Sequence, residues 1–218
     1  MALISDYASL TQAIADWTHR GDLTSGAAPF SDYFIQAAQA AIDNDVMTAN
    51  IGNGIRFQET AFGPSAIANG TVAVPEDWLA PKDLTVAADS GDKVALSFTS
   101  AAWIYERYPF RLSTGLPAFV AREGSNLIFG PYPDSGYDIQ GIYYAQAPLL
   151  SSTQTTNWMV TSAPDLILAY CMREASVFLQ DMNAMQVWNT SCQQKLEALI
   201  QRDKAERYSA ASLQINAG

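Results

Sequence analysis

One histidine, two cysteines and three close pairs of carboxylates are the residues of this 218-residue chain whose types and spacing could do chemistry. His19 closes a helical pattern beside Arg20, where a cation interacts with the negative end of the helix dipole. A serine nucleophile would need that histidine as its base, and Gly63-Pro64-Ser65-Ala66-Ile67 lacks the second glycine of a nucleophile elbow. Zinc needs three or four ligands at defined spacing, which one histidine and two core-facing cysteines, Cys171 and Cys192, do not supply. The same placement predicts no disulfide. Gly52-Asn53-Gly54 comes after a helix and lacks a succeeding Lys-Ser/Thr, so it reads as a turn rather than a phosphate loop. No cofactor and no metal is expected.

The carboxylate pairs are Asp43 with Asp45, Glu76 with Asp77, and Asp134 with Asp138. Two carboxyl groups flanking a glycosidic bond can hydrolyse it. Each of these pairs lies at an element end or a turn, where capping and solvation account for an acid, and none has the spacing of a calcium loop. Trp103, Tyr105, Tyr108 and Phe110, with Arg107 and Arg111, could stack a sugar or a base, although core and interface packing is the favoured reading.

The elements that must position these groups are organised around a helical hairpin from Pro164 to Tyr208. Leu166, Ile167, Tyr170, Cys171, Val177 and Phe178 recur at helical spacing, with Pro164 in the first turn and Asp165 near the positive end of the dipole. After a polar break in which Asp181 can cap the second arm, Met185, Trp188, Cys192, Leu196, Leu199 and Ile200 form a second stripe. Arg202, Asp203, Lys204, Glu206 and Arg207 carry no apolar face, and Asp203 with Arg207 is an i,i+4 pair. The end of this helix is expected to project from the core.

Upstream, Ser9 and Gln12 have capping-box spacing for a helix lined by Leu10, Ile14 and Trp17 that ends at Gly21. Pro29 opens a second helix with Phe30, Phe34, Ala38, Ala41 and Ile42 on one side, ended by Asn50, Gly52 and Gly54. From Ile55 to Ala147 the period shortens. Strands are expected at Ile55–Ala61, Gly70–Val74, Leu84–Ala87, Val94–Thr99, Ala118–Arg122, Asn126–Phe129 and Tyr137–Ala145. A turn is expected at Glu123-Gly124, and a short helix at Ala101–Tyr108. In the last strand Tyr137, Ile139, Gly141 and Tyr143 face one side, Ile142 and Tyr144 the other, so both faces are expected to be covered. The fold class is α+β: a discontinuous helical bundle, residues 1–50 and 150–208, with a β-rich insertion at 51–149. Residues 209–218 read as a flexible C-terminal tail, small and polar apart from Leu213 and Ile215.

A net charge of −10 argues against affinity for phosphate backbones. Charged residues make up 16%, against about 25% in typical domains, and depletion of charge is a mark of interfaces. No apolar run approaches the roughly 18 to 20 residues that cross a bilayer, and the start lacks a basic segment before an apolar core, so a soluble protein made without a secretory signal is expected.

With its pieces in order, the chain resembles the bacteriophage head-to-tail adaptor (connector) family. The carriers run from Tyr7-Ala8-Ser9-Leu10, Ile14-Ala15-Asp16-Trp17 and Arg20-Gly21-Asp22-Leu23 through Phe34-Ile35-Gln36-Ala37-Ala38 and Val74-Pro75-Glu76-Asp77-Trp78-Leu79. They continue with Gly115-Leu116-Pro117, Ile128-Phe129-Gly130-Pro131-Tyr132-Pro133, Tyr143-Tyr144-Ala145, Thr156-Asn157-Trp158 and Ala163-Pro164-Asp165-Leu166 before Glu174-Ala175. The resemblance implies a non-enzymatic virion protein of the neck, made in the bacterial cytoplasm. It implies a dodecameric ring between the portal protein and the tail nozzle protein, lining a channel through which DNA passes without specific binding. Leu213 and Ile215 are the candidate portal contacts, ordering on binding. Another neck or tail component, such as a head-completion or tail-terminator protein, is the nearest rival. A carboxylate-based glycan hydrolase of the tail is a more distant one, and a carbohydrate-binding module on the aromatic cluster more distant still.

Overall fold

The change of period along the chain is realised as six α-helices and eight β-strands among the described residues, which in this computed structural model are 3–26, 29–88, 91 and 93–209. The helices are α1 (Tyr7–Thr18), α2 (Phe30–Ala49), α3 (Ala101–Arg107), α4 (Trp158–Ser162), α5 (Pro164–Phe178) and α6 (Met182–Ser209). The strands are β1 (Glu59–Ala66), β2 (Thr71–Ala73), β3 (Trp78–Ala88), β4 (Lys93–Ala95), β5 (Ser97–Phe98), β6 (Phe119–Glu123), β7 (Asn126–Gly130) and β8 (Tyr137–Ala145). The architecture is α+β, with a β-rich domain inserted into a helical one. Met1–Phe57 with Ala147–Gly218 form one compact unit and Gln58–Gln146 the other.

In the helical unit α5 touches α1, α2, α4 and α6. A helix surrounded by neighbours needs apolar residues all round, and seven consecutive residues from Leu166 to Met172 are buried. This replaces the single stripe expected from spacing. Val177 and Phe178, assigned to that stripe, are exposed. On α6 the stripe holds at Cys192, Leu196, Leu199 and Ile200, and Asp181 caps the helix by accepting the Ala184 N–H at 2.9 Å.

The N-terminal cap of α1 differs from the Ser9–Gln12 box. Asp6, a strong acceptor in extended conformation, is the cap: its Oδ1 accepts the Ser9 N–H at 2.8 Å while Ser9 Oγ accepts the Asp6 N–H at 3.0 Å. Gln12 instead donates to Asp16 one turn on, at 2.8 Å. The helix ends before Gly21, with His19 left-handed at φ 52°, and Gly21–Thr24 forms a 3₁₀ turn. Pro29 caps α2 from outside rather than opening its first turn.

Two non-helical segments of the helical unit have backbone groups that side chains must satisfy. At residues 147–150, Gln39 Nε2 donates to Pro148 O at 3.0 Å and its Oε1 accepts the Leu150 N–H at 2.9 Å. Asp43 Oδ2 accepts the Ala147 N–H at 3.3 Å, and Asn157 Nδ2 also donates to Pro148 O, at 2.9 Å. Gln39 and Asp43 are both buried on α2. At residues 54–56, Asp203 Oδ1 accepts the Arg56 N–H at 3.1 Å, and Gly54 O accepts from Arg207 Nη2 at 3.1 Å and Asn50 Nδ2 at 3.3 Å. Asp203 is only 2% exposed and is ion-paired to Arg56 Nε at 3.1 Å and Arg207 Nε at 2.8 Å; Glu206 also binds Arg56. The charged end of α6 therefore does not project from the core, because its one buried acid needs cationic partners that lie on the packed surface.

The β unit stacks two four-stranded sheets, ordered β1-β8-β3-β4 and β2-β7-β6-β5, antiparallel except for β5 with β6. Both contribute to one core, with Phe62, Leu84, Val86, Ile139 and Tyr143 from the first and Val72, Val120, Leu127 and Phe129 from the second. Alternate residues Ala121 and Ile128 turn to the other face of the second sheet and pack under Ile104 of α3. Strand β8 has the expected span. Its outer face is covered at Tyr144 and open at Ile142.

Other strands shift from their expected limits. Ile55 belongs to the helical core and Arg56–Gln58 is a 3₁₀ turn, so β1 begins at Glu59 and continues through a bulge between Phe62 and Ser65. Strand β3 begins six residues earlier than expected, since bulges at Trp78/Ala80 and Pro81/Asp83 let it carry Pro81. The β6–β7 turn is Gly124-Ser125, with Gly124 at φ 60° where a two-residue hairpin needs a left-handed residue. Gly141 lets β3 approach: a Cβ there would come within 2.0 Å of Asp83 O.

Replacing Gln39 by leucine removes both a donor and an acceptor from buried backbone groups. We expect Gln39→Leu to cost about 2–4 kcal/mol in urea unfolding, against less than about 0.5 kcal/mol for the exposed Gln12→Leu.

Candidate functional site

The residues singled out for chemistry are dispersed by the fold. His19 is the C-cap of α1. Cys171 and Cys192 are free and buried. Burial pushes the Cys192 thiol up to about 11 and that of Cys171 higher still. Of the carboxylates, Asp43 holds the Ala147 N–H, Asp45 accepts from Tyr170 Oη at 2.7 Å, Asp77 from Tyr143 Oη at 2.9 Å, and Asp134 from Tyr137 Oη at 2.5 Å. Each candidate pair thus commits at least one member to a structural hydrogen bond. Among the described residues no group of three His, Cys, Asp or Glu side chains is arranged to hold a metal ion, and no helix is long and apolar enough to cross a membrane.

Three tyrosines that bond carboxylates, Tyr143, Tyr170 and Tyr7, have hydroxyls held more firmly in their neutral form than a free phenol. Burial first, then the hydrogen bond to the Asp77 carboxylate and its charge, push the Tyr143 hydroxyl from 10.0 up to about 12; Tyr7, bonded to Asp32, is raised to about 12 in the same way.

The aromatic cluster of the β unit is only partly a surface. Tyr108 lies over Gly130, where a Cβ would come within 2.7 Å of its ring, and beside Ile104. Trp103 leans on Phe119 at 4.7 Å between ring centroids, and Tyr105 Oη donates to Glu123 at 2.7 Å. Phe110 alone stands out, 90% exposed, on a turn in which both it and Arg111 are left-handed, at φ 54° and 55°. The Arg111 guanidinium lies 5.2 Å from the Tyr132 ring centroid and its Nη1 donates to Asn69 O at 3.4 Å, which braces the turn. The rings do not form one flat stacking platform.

A second apolar surface, on the helical unit, was not anticipated from the sequence. Phe30 and Phe178 lie 4.7 Å apart between ring centroids, and Phe34 lies 5.5 Å from Phe178 and 6.2 Å from Tyr33. Phe34 is buried, whereas Phe30, Tyr33, Val177, Phe178 and Met182 are exposed. Helical spacing assigned Phe30 and Phe178 to core stripes; the end turns of their helices overrun the packed region. Both units therefore expose aromatic side chains. Leu213 and Ile215, the candidate portal contacts, lie outside the described residues.

A protein-family model described as SU10 adaptor protein matches residues 5–215, nearly the whole chain. No curated protein matches it.

The buried groups lead to two expected outcomes. The thiols should resist an aromatic disulfide reagent at pH 8 in the folded protein and react fully in denaturant. The folded state binds the Tyr143 and Tyr7 protons more tightly than the unfolded chain. Their contribution is complete below pH 10 and is lost as pH rises from 10 to 12. The unfolding free energy should fall across that interval, and fall less in Tyr143→Phe.

Proposed function

We propose, from the chain's membership of the SU10 adaptor protein family of phages, that it is the head-to-tail adaptor of a virion neck, a structural protein rather than an enzyme. In this reading copies of the chain form a dodecameric ring that binds the portal protein on one side and the tail nozzle protein on the other. The ring surrounds the channel through which DNA leaves the head.

The observation that carries this reading is the span of the family match, residues 5–215, which takes in both units and the segment beyond α6. Charge supports it. A net charge of −10 opposes adhesion to a phosphate backbone moving through the channel, whereas a basic lining would hold each phosphate it met. Exposed aromatic residues in both units supply the contact surface an assembly component needs. Leu213 and Ile215 remain the proposed portal contacts, placed after an α6 whose last turns are tied to the body through Asp203.

The test is the light-scattering mass of size-exclusion fractions of this chain, alone and mixed with the portal ring encoded in the same genome. A large co-eluting species with near one-to-one subunit stoichiometry is expected. Leu213→Asp with Ile215→Asp should weaken the association at least tenfold without changing the unfolding midpoint. A chain that ignores an intact portal at high concentration would leave the adaptor role without support.

A further inference from the structure

We propose that copies of this chain dock head to tail through their helical units. The aromatic end formed by Phe30, Tyr33, Val177, Phe178 and Met182 of one copy seats in the groove between α6 and the start of α5 of the next. This rests on the proposed ring and deepens it by assigning its subunit contact.

The aromatic end is a connected surface rather than scattered residues. Its rings touch in the series Tyr33, Phe34, Phe178, Phe30, and Tyr33 is 65% exposed and Phe30 51%. Large apolar side chains left open together mark a contact surface. Two carboxylates, Asp32 and Asp181, stand among them, and residues 29–33 and 177–187 contain no lysine or arginine. The negative end of the α5 dipole meets the positive ends of α2 and α6 there, so the acidic character of this end rests on the two carboxylates.

The groove has the opposite character. It measures about 260 Å³ and is lined by Pro164, Asp165, Lys195, Ala198, Leu199 and Arg202 among others. Its two cations are held by long, exposed pairs, Lys195 Nζ at 3.9 Å from Asp165 and Arg202 Nε at 4.0 Å from Glu206, and Arg202 Nη2 also donates to Ser162 O at 3.2 Å. The positive end of the α5 dipole opens into the groove. Apolar walls with a cationic rim complement aromatic rings with an acidic rim, and cations favour the faces of aromatic rings. Arg202 already lies 5.8 Å from the Phe57 ring centroid.

The two surfaces sit at opposite ends of α5. Its 15 residues set them roughly 21 Å apart at about 1.5 Å per residue, so one copy can use both at once. Different patches at opposite ends make a heterologous contact, which closes into a ring when the rotation allows. A twofold contact between two aromatic ends would instead oppose four carboxylates, a repulsion that selects against it.

The experiment uses two full-length variants at exposed positions, Tyr33→Cys and Ala198→Cys, oxidised separately and mixed, at high concentration alone and on the portal ring. The unmodified chain, with both natural thiols buried, is the blank. A cross-linked dimer in the mixture and in neither separate sample is expected, and Lys195→Glu in the Ala198→Cys partner should cut its yield at least tenfold. No mixed cross-link in either setting, or Tyr33→Cys linking to itself as readily, overturns the contact. Mixed cross-linking without portal binding would count against the adaptor reading alone; portal binding without mixed cross-linking would count against this contact alone.

Discussion

The helical unit depends on one constraint: non-helical backbone runs through helical packing at two places and has no strand beside it to bond. Each backbone group there would cost about 1–3 kcal/mol if left bare. Gln39 answers for Pro148 and Leu150, Asp43 for Ala147, and Asp203 for Arg56. A discontinuous domain must carry such segments wherever the chain departs and returns, so polar side chains inside its core are a requirement of the topology. The same need explains why α2 carries a buried amide and a buried carboxylate one turn apart on a face otherwise lined by Phe34, Ala38, Ile42 and Val46.

The β unit meets a different requirement, that of covering two faces of its second sheet. Strands β6 and β7 are short, and alternate residues serve separate clusters, with Val120 and Leu127 in the shared core and Ala121 and Ile128 under α3. The small side chain of Ala121 and the bare Gly130 make room for Ile104 and Tyr108. The turn after α3, with its left-handed Phe110 and Arg111, is thus mounted on a packed base.

Legibility in the sequence tracked the range of the interaction that shapes each element. Strand β8 was readable because both faces alternate within nine residues, and the Asp181 cap because its partner is three residues away. The α+β class was readable because the period changes twice along the chain. Asp203 read as a surface acid because its decisive partner, Arg56, is 147 residues away. Gln39 carried no signal either, since the carbonyl it serves is 109 residues on. The capping box was misplaced by one turn because Asp6 and Ser9 satisfy the same pattern as Ser9 and Gln12, and only the start of the apolar packing decides between them. The aromatic end escaped notice because spacing reports which residues share a face, while burial depends on how far the neighbouring helix extends.

The tie at Asp203 also has a mechanical meaning. A hydrogen-bonded helix of 28 residues would pass tension along its axis toward Met182, some forty ångströms from its far end at about 1.5 Å per residue. Asp203, gripped by Arg56 within the last two turns, offers a shorter load path. A pull on the C-terminus would be shared between the helix and these ion pairs, which carry part of it in shear to residues 54–56, the stretch that leads out of the helical unit, rather than all of it to the hairpin.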